Sequence, residues 1–149
     1  MFYDLQQSLI DVLEAKRQAA TVQPGRLIPA AVLPYGGELL APKQLIHATP
    51  VLYVRGVDSA ALEVADSQGL LVTGTVTPDV LCVAQNQAGG AAQEGDMAAL
   101  LSWTFEALLG AQITAGGYLF AIDRFTVSTL LAHSPINVMA LSPVLQTMN

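Results

Sequence analysis

Residues 77–110 read TPDVLCVAQNQAGGAAQEGDMAALLSWTFEALLG and carry the strongest structural signals of the chain. The run 80–84 is apolar, rich in β-branched side chains and bounded by Pro78 and polar residues, which is typical of a strand buried on both faces. Asp96 fits the N-cap of a following helix, and Gly110 fits the glycine that ends it. Between these two residues, the side chains that recur at three- and four-residue spacing are Met97, Leu100, Leu101, Thr104, Phe105, Leu108 and Leu109. They predict one apolar stripe that faces the core.

Trp103 lies off this predicted stripe. At about 100° per residue, its indole falls on the far flank of the helix, beside two alanines and near Glu106. One interpretation is an anchor in a protein–protein interface, because aromatic side chains dominate interface cores and small neighbours let them seat. The other is a tryptophan that a neighbouring loop partly covers.

The composition favours a protein that buries part of its surface against other proteins. Among 149 residues, 52% are hydrophobic and only 12% are charged, against about 25% charged in typical soluble domains. The length indicates a single domain over residues 1–149. A membrane protein is the competing explanation, but no run of 18 apolar residues exists, and prolines and polar residues interrupt even the weakly charged segment 125–149. The sequence therefore predicts assembly and no membrane partner.

Acidic residues dominate after residue 55, where Arg124 is the only basic residue, and the whole chain carries a net charge of −6. Such a surface repels phosphate, so DNA is expected only as a passing, non-specific cargo. Cys82 is the single cysteine, which excludes an internal disulfide and favours synthesis in a reducing compartment. The N-terminus lacks the pattern of a signal peptide.

The first third of the chain predicts a helix and two strands. Residues 2–20 have an amphipathic helical pattern. Residues 30–33, enclosed by prolines, fit a short edge strand that precedes a turn at Tyr35, Gly36 and Gly37. Residues 49–57 predict a strand, and residues 58–67 an irregular connection with one helical turn possible at 60–63.

Further strands are predicted on both sides of the central helix. Residues 70–77 predict a strand in which Gly74 marks a bulge, followed at Pro78 by a bend between two strands or by one kinked strand. Residues 112–114 lead into residues 115–117, which are expected to form a flexible break. Residues 118–122 and 125–130 predict two strands or one bent strand. Residues 136–141 predict a last strand before Pro143, and the tail beyond Leu145 is expected to be loose.

No catalytic, cofactor-binding or metal-binding group is predicted. His47 and His133 each lack a second ligand at suitable spacing, and Cys82 lies in the predicted buried strand. The glycines of residues 89–95 follow a strand as a phosphate loop would, but the loop lacks a lysine and carries acidic residues. A mobile loop of small residues, able to order against a neighbouring subunit, is the preferred interpretation.

Five features in their order along the chain resemble the tail terminators of Mu-like phages and prophages, small proteins encoded just before the tail sheath or tube. The features are the amphipathic N-terminal helix, the strands TPVLYV (49–54) and DVLCVAQN (79–86), the Gly/Ala/Glu loop, and a helix that ends ALLG (107–110). The chain departs from the family in its scarcity of basic residues, and its C-terminal third matches no part of the family's pattern.

The order of the predicted elements, a helix, several strands, a helix and further strands, predicts one α/β (α+β) domain with a mostly antiparallel sheet and helices packed on it. The resemblance implies the same fold, with an N-terminal helix and a second long helix packed on the sheet. It also implies a structural, non-enzymatic role in the virion, after synthesis in the host bacterial cytoplasm. Six copies would form a homo-oligomeric ring that caps the tail tube, stops its polymerisation and joins it to the head connector, with the tube and sheath proteins as partners. Alternatives are a head-completion or neck connector protein and a small-ligand-binding domain. The residues expected at a subunit or tube interface are Trp103, Tyr35, Gly36, Gly37, Gln87, Gly89 and Gly90.

Overall fold

Two helices and six strands make up the regular structure of the described residues in this computed structural model. Those residues are 1–20, 27–37, 48–64, 71–85, 90–131 and 136–148, with only the backbone described for 85, 90–95 and 131. The helices are α1 (Phe2–Ala19) and α2 (Gly90–Leu108), and the strands are β1 (Ala31–Pro34), β2 (Val51–Val64), β3 (Val72–Gln85), β4 (Gln112–Ala115), β5 (Tyr118–Leu131) and β6 (Ile136–Thr147).

All six strands form one sheet, in the order β1-β2-β3-β6-β5-β4. The pairing of β1 with β2 is parallel, and every other pairing is antiparallel. The predicted α+β class, a single domain with a mostly antiparallel sheet and two helices packed on it, is confirmed.

Both helices pack on the same face of the sheet. The buried face of α1 presents Leu5, Leu9 and Leu13 at four-residue spacing, as the amphipathic pattern predicts. Two polar side chains of α1 also form hydrogen bonds to the sheet. Gln6 Nε2 donates to the carbonyl of Val54 at 2.8 Å, and Ser8 Oγ donates to the carbonyl of Thr114 at 2.6 Å. The helix-side core combines these leucines with residues of α2 and of the strands.

The opposite face of the sheet carries a second apolar cluster, to which neither helix contributes. Its buried members are Val51, Tyr53, Leu81, Val83, Ile136, Val138 and Ala140. These residues alternate along β2, β3 and β6 with residues of the helix-side core. The prediction that residues 80–84 form a strand buried on both faces is therefore confirmed.

Helix α2 begins six residues earlier than predicted, and its buried face is rotated. It starts at Gly90, so Asp96 is an exposed residue within the helix and not its N-cap. Trp103 and Ala107 are buried, whereas Phe105 and Leu109 are exposed. The buried face of α2 therefore extends past the predicted stripe on the side of Trp103 and leaves the side of Phe105 exposed. Periodicity alone does not report which side of the helix the core covers.

Four strands are longer than predicted. β2 continues to Val64, so the helical turn proposed at 60–63 is wrong; β3 and β5 are each one continuous strand. β6 extends to Thr147 through Pro143, so the expected end before this proline is also wrong. Pro143 lies opposite Phe125 of β5, and on the other side of β6 the β3–β6 ladder has no pairs between Val76–Leu145 and Val80–Leu141, so the proline removes no donor from that ladder.

Residues 115–117 belong to a tight hairpin and do not form the predicted flexible break. β4 pairs with β5 over residues 118–121. Gly116 and Gly117 connect the strands with φ values of 58° and 82°. Two successive positive φ values are the requirement of the turn that best matches the twist of paired strands, and glycine meets it without steric cost.

Candidate assembly surfaces

Trp103 belongs to the helix-side core and not to the surface. Its side chain is only 4% exposed, and it packs within the cluster that both helices share with the sheet. The prediction that a monomer exposes this residue is wrong. A side chain already buried inside the subunit has little surface left to offer a partner, so Trp103 is not retained as an anchor.

The segment containing Tyr35 lies on the other face of the sheet. The backbone N–H of Tyr35 donates to the carbonyl of Val54 at 3.0 Å, and its ring meets that of Tyr53 edge to face with centroids 6.1 Å apart. Gly36 is exposed, and Gly37 is half-buried with φ at 90°. Tyr35 and Trp103 thus occupy opposite faces and do not form one surface.

The three remaining predicted interface residues surround the start of α2. Gln87 and Gly89 lie outside the described residues, and Gly90 is the first residue of the helix. The loop that was expected to extend to residue 95 is therefore helical over residues 90–95. The chain therefore does not form a phosphate-type loop over residues 90–95 with a helix that starts at Asp96.

A buried polar cluster that sequence reasoning missed joins three adjacent strands. The carboxylate of Asp79, 3% exposed, accepts hydrogen bonds from Nε of Arg55 at 3.1 Å and from Oγ of Ser142 at 2.6 Å. Arg55 Nη2 also pairs with Asp79, and it lies 3.8 Å from Asp58. Hydrogen bonding to Asp79 is the main reason that the pKa of Arg55 is raised above its usual value.

This polar cluster lies where the regular strand pairing of the sheet is interrupted. β2 shifts register on both sides of Val57, and the β3–β6 ladder is interrupted between Val76 and Val80. Asp79 fills the interruption and bonds to both neighbouring strands, which satisfies its buried carboxylate and fixes their positions. The sequence signal was available, since a proline followed by an aspartate inside an apolar strand requires a special environment.

Two strands present unpaired edges at opposite ends of the strand order. β4 covers β5 only along residues 118–121, and β1 covers β2 only along residues 51–54. Beyond those points, within the described residues, no strand lies beside the outer side of β5 or of β2. Residues 58–61 and 126–130 are all exposed. Unpaired edges of this length are templates for pairing with another chain.

An apolar patch lies between the end of α2 and β5. The rings of Phe105 and Phe125 meet edge to face with centroids 4.8 Å apart, and Phe105 is 39% exposed. Leu109 is 60% exposed, and Val127, which lies on the same side of β5 as Phe125, is 50% exposed. Exposed apolar groups clustered this way, next to an unpaired strand, are typical of a surface that contacts protein.

The described residues hold few reactive groups. Burial raises the pKa of the Cys82 thiol from 9.0 to about 12, and its sulfur lies 3.8 Å from Oγ1 of Thr104. Such a thiol stays protonated and is a poor nucleophile. No group of three potential metal ligands occurs among the described residues, and His47 and His133 lie outside them.

Neither α1 nor α2, as far as the chain is described, is both long enough and apolar enough to cross a membrane.

Comparison with known proteins identifies a structural relative of the whole chain. No family model and no curated protein matches the sequence. Among solved structures, the chain is similar to a chain of the "Virion of native gene transfer agent (GTA) particle", with 13% sequence identity and a TM-score of 0.55. The alignment covers 97% of this chain and 98% of that chain. The two chains therefore share their fold over nearly their entire lengths.

Proposed function

We propose that this protein is a structural component of a phage-like virion and that it acts as a tail terminator. The observation that carries the proposal is the likeness to the virion chain of the gene transfer agent particle, which covers 97% of this chain and 98% of that one. A fold shared over this extent suits the same kind of assembly.

The surface of the subunit supports a role in assembly. The unpaired edges of β2 and β5 and the apolar patch around Phe105 are features that soluble monomers normally avoid. They also account for the low charge of the chain, since surface that is covered by neighbours does not need ionic groups. Assembly with copies of itself and with other virion proteins, such as tail-tube and head-connector proteins, is the corresponding partner set.

The terminator role in particular rests on the sequence. The order of the N-terminal helix, the strands at 50–54 and 79–86 and the helix ending at Gly110 resembles tail terminators. The corresponding role is a ring, with six copies in that family, that caps the tube, stops its growth and docks the head. The role is non-enzymatic, and DNA passes the acidic subunits without adhering to them.

Deletion of the gene in the strain that produces the particles tests this proposal, with electron microscopy of the particles as the readout. Loss of the terminator should give tails of uncontrolled, greater length without heads, and plasmid expression of the wild-type chain should restore normal particles. Tails of normal length attached to heads would overturn the virion role. Tails of normal length without heads would overturn the terminator role in favour of a neck connector.

A further inference from the structure

We propose that copies of this chain join by antiparallel pairing of two different strand edges, residues 123–130 of one copy with residues 57–64 of the next. These segments are named the β5 edge and the β2 edge. The inference deepens the proposed function, because it identifies the surface through which a ring would form. The occupant of each edge is the other edge of a second copy.

The two edges match in accessibility and length. Each comprises eight residues that lie beyond the short strand covering the rest of its side, β4 for β5 and β1 for β2. Across these eight residues, most side chains of both edges are exposed. Because the two edges of the sheet are different, the β5 edge of one copy can pair with the β2 edge of the next. This is a heterologous contact, which can be repeated from copy to copy until a ring closes.

The directions of the strands are compatible. β2, β3, β6 and β5 are adjacent in the sheet, and each pairing among them is antiparallel. β2 and β5 therefore run in opposite directions within one subunit. A second copy that continues the sheet places its β2 beside the first copy's β5, and the pairing is again antiparallel.

The faces of the two edges limit the register. Ala60 lies opposite Val76, and Val127 lies opposite Leu141. Val76 and Leu141 both belong to the helix-side core, so Ala60 and Val127 also point to the helix side. Because side chains alternate along a strand, a register that continues both faces must place Ala60 opposite Val127 or shift by two residues from that position.

Charge selects one of these registers. With Ala60 opposite Val127, Glu63 lies opposite Arg124, which is the only basic residue after residue 55. Arg124 is 68% exposed and has only a loose contact with Asp123, at 3.8 Å. A shift of two residues in either direction would put Ile122 or Thr126 opposite Glu63 and lose this pair. In the selected register, the remaining pairs within the regular parts of both strands are Ser59–Ser128, Ala61–Thr126 and Leu62–Phe125.

The stagger of this register agrees with the geometry of closed sheets. Within one subunit the ladders align Val54, Val80, Leu141 and Val127 across the sheet. Between subunits Val127 would instead face Ala60, which lies opposite Val76, four residues along β3 from Val80. Four residues at about 3.3 Å each give a stagger of about 13 Å. Over four strands spaced about 4.8 Å apart, this corresponds to a strand tilt of about 35°, at the lower end of the range of about 35–45° in β-barrels. A register chosen from faces and charge thus also suits closure.

Disulfide cross-linking tests the contact directly. In the double variant A61C/T126C, the two cysteines of neighbouring copies would lie opposite each other on the face away from the helices, within the range in which disulfides form. The native Cys82 is buried and does not compete. Mild oxidation at the highest soluble concentration should give a ladder of covalent oligomers in non-reducing electrophoresis. The control A61C/A98C, with its second cysteine on the exposed side of α2, should stay mostly monomeric.

Charge reversal supplies a second, independent readout. E63R and R124E should each weaken self-association, measured by sedimentation velocity, by about threefold to tenfold, because like charges directly opposite destabilise paired strands. The combined variant E63R/R124E restores opposite charges and should return towards the wild-type value. Circular dichroism checks that each variant is folded.

Three outcomes would overturn the edge pairing: cross-linking of A61C/T126C no stronger than that of A61C/A98C, additive loss of association in the double reversal, or a wild-type chain that stays monomeric at every concentration. Failure of the proposed function is distinguishable. Cross-linked oligomers together with normal tails after gene deletion would leave the edge pairing in place and remove the virion role. The reverse combination would leave the virion role and remove this contact.

Discussion

Replacing Trp103 by alanine is expected to destabilise the subunit itself. The indole is 4% exposed and lies in the core shared by α1, α2 and the sheet. Truncation of a large aromatic side chain at such a site costs about 3–5 kcal/mol. Small domains have a total free energy of unfolding of about 5–15 kcal/mol, so the change removes a large part of it.

Urea unfolding followed by far-ultraviolet circular dichroism measures this effect. With a slope of about 1–3 kcal/mol per molar urea, the midpoint should fall by about 2 M. Circular dichroism is the suitable signal, because Trp103 is the only tryptophan and its fluorescence disappears with the substitution.

Leu109→Ala is the matched control, since Leu109 belongs to the same helix but is 60% exposed. Its free energy of unfolding should change by no more than about 0.5 kcal/mol, as for other surface positions. The reasoning would be refuted if W103A unfolded at the same urea concentration as L109A. If W103A then also self-associated more weakly, the tryptophan would be a surface anchor after all.

Three further perturbations test other parts of the structure. Asp79→Ala removes the acceptor shared by Arg55 and Ser142 in the buried polar cluster and should lower the free energy of unfolding by about 2–3 kcal/mol in urea titrations. Ser142→Ala removes only one donor and should lower it by about 1 kcal/mol. Gly74→Ala should lower Tm in calorimetry by several degrees, because φ at Gly74 is 140° and a Cβ would lie 2.0 Å from the carbonyl oxygen of Ala61. The pKa of the Cys82 thiol is raised to about 12 in the folded chain, so the thiol ionises at lower pH in the unfolded chain. The free energy of unfolding should therefore fall as the pH rises from about 9 towards 12. The fall should be shallower in Cys82→Ala, which has no thiol.

The parts of the fold that depend on one segment alone were predictable. The apolar periodicity of α1 and the two-sided burial of residues 80–84 are local patterns, and the structure confirms both. The class also followed from the order of elements. Each of these properties is decided by which face of a segment is apolar, and a sequence records that directly.

Properties that depend on neighbours were not predictable in the same way. Pro143 is a strong sign that a strand ends, but β6 passes through it where the adjacent ladder is interrupted. Residues 58–64 lack the apolar alternation of a strand because, among the described residues, they pair only with β3 and most of them are exposed. In both cases the neighbouring strand decides whether the segment extends the sheet, and that neighbour is not visible from local sequence.

The rotation of α2 explains why the candidate site moved. More than half of the circumference of α2 is apolar. Residues 101, 105 and 109 lie on one flank of the predicted stripe, and residues 103 and 107 lie beyond its other flank. The core covers the flank of Trp103 and leaves Phe105 and Leu109 in solvent. The sequence correctly indicated that the helix has more apolar surface than one core needs, but it gave the two flanks the wrong roles.

The low charge of the chain therefore has a location. Of the exposed large apolar residues, Phe105, Leu109, Val127 and Leu130 belong to the end of α2 and to β5, and Val64 lies at the end of the β2 edge. The apolar patch between the end of α2 and β5 adjoins the β5 edge, one of the two strand edges that no other described strand covers. Apolar side chains alone would allow a partner to bind in many registers. An unpaired strand edge alone would allow a strand of any sequence to pair with it. Together they favour a neighbour that supplies both a strand and an apolar surface beside it, which a second copy of the same sheet does.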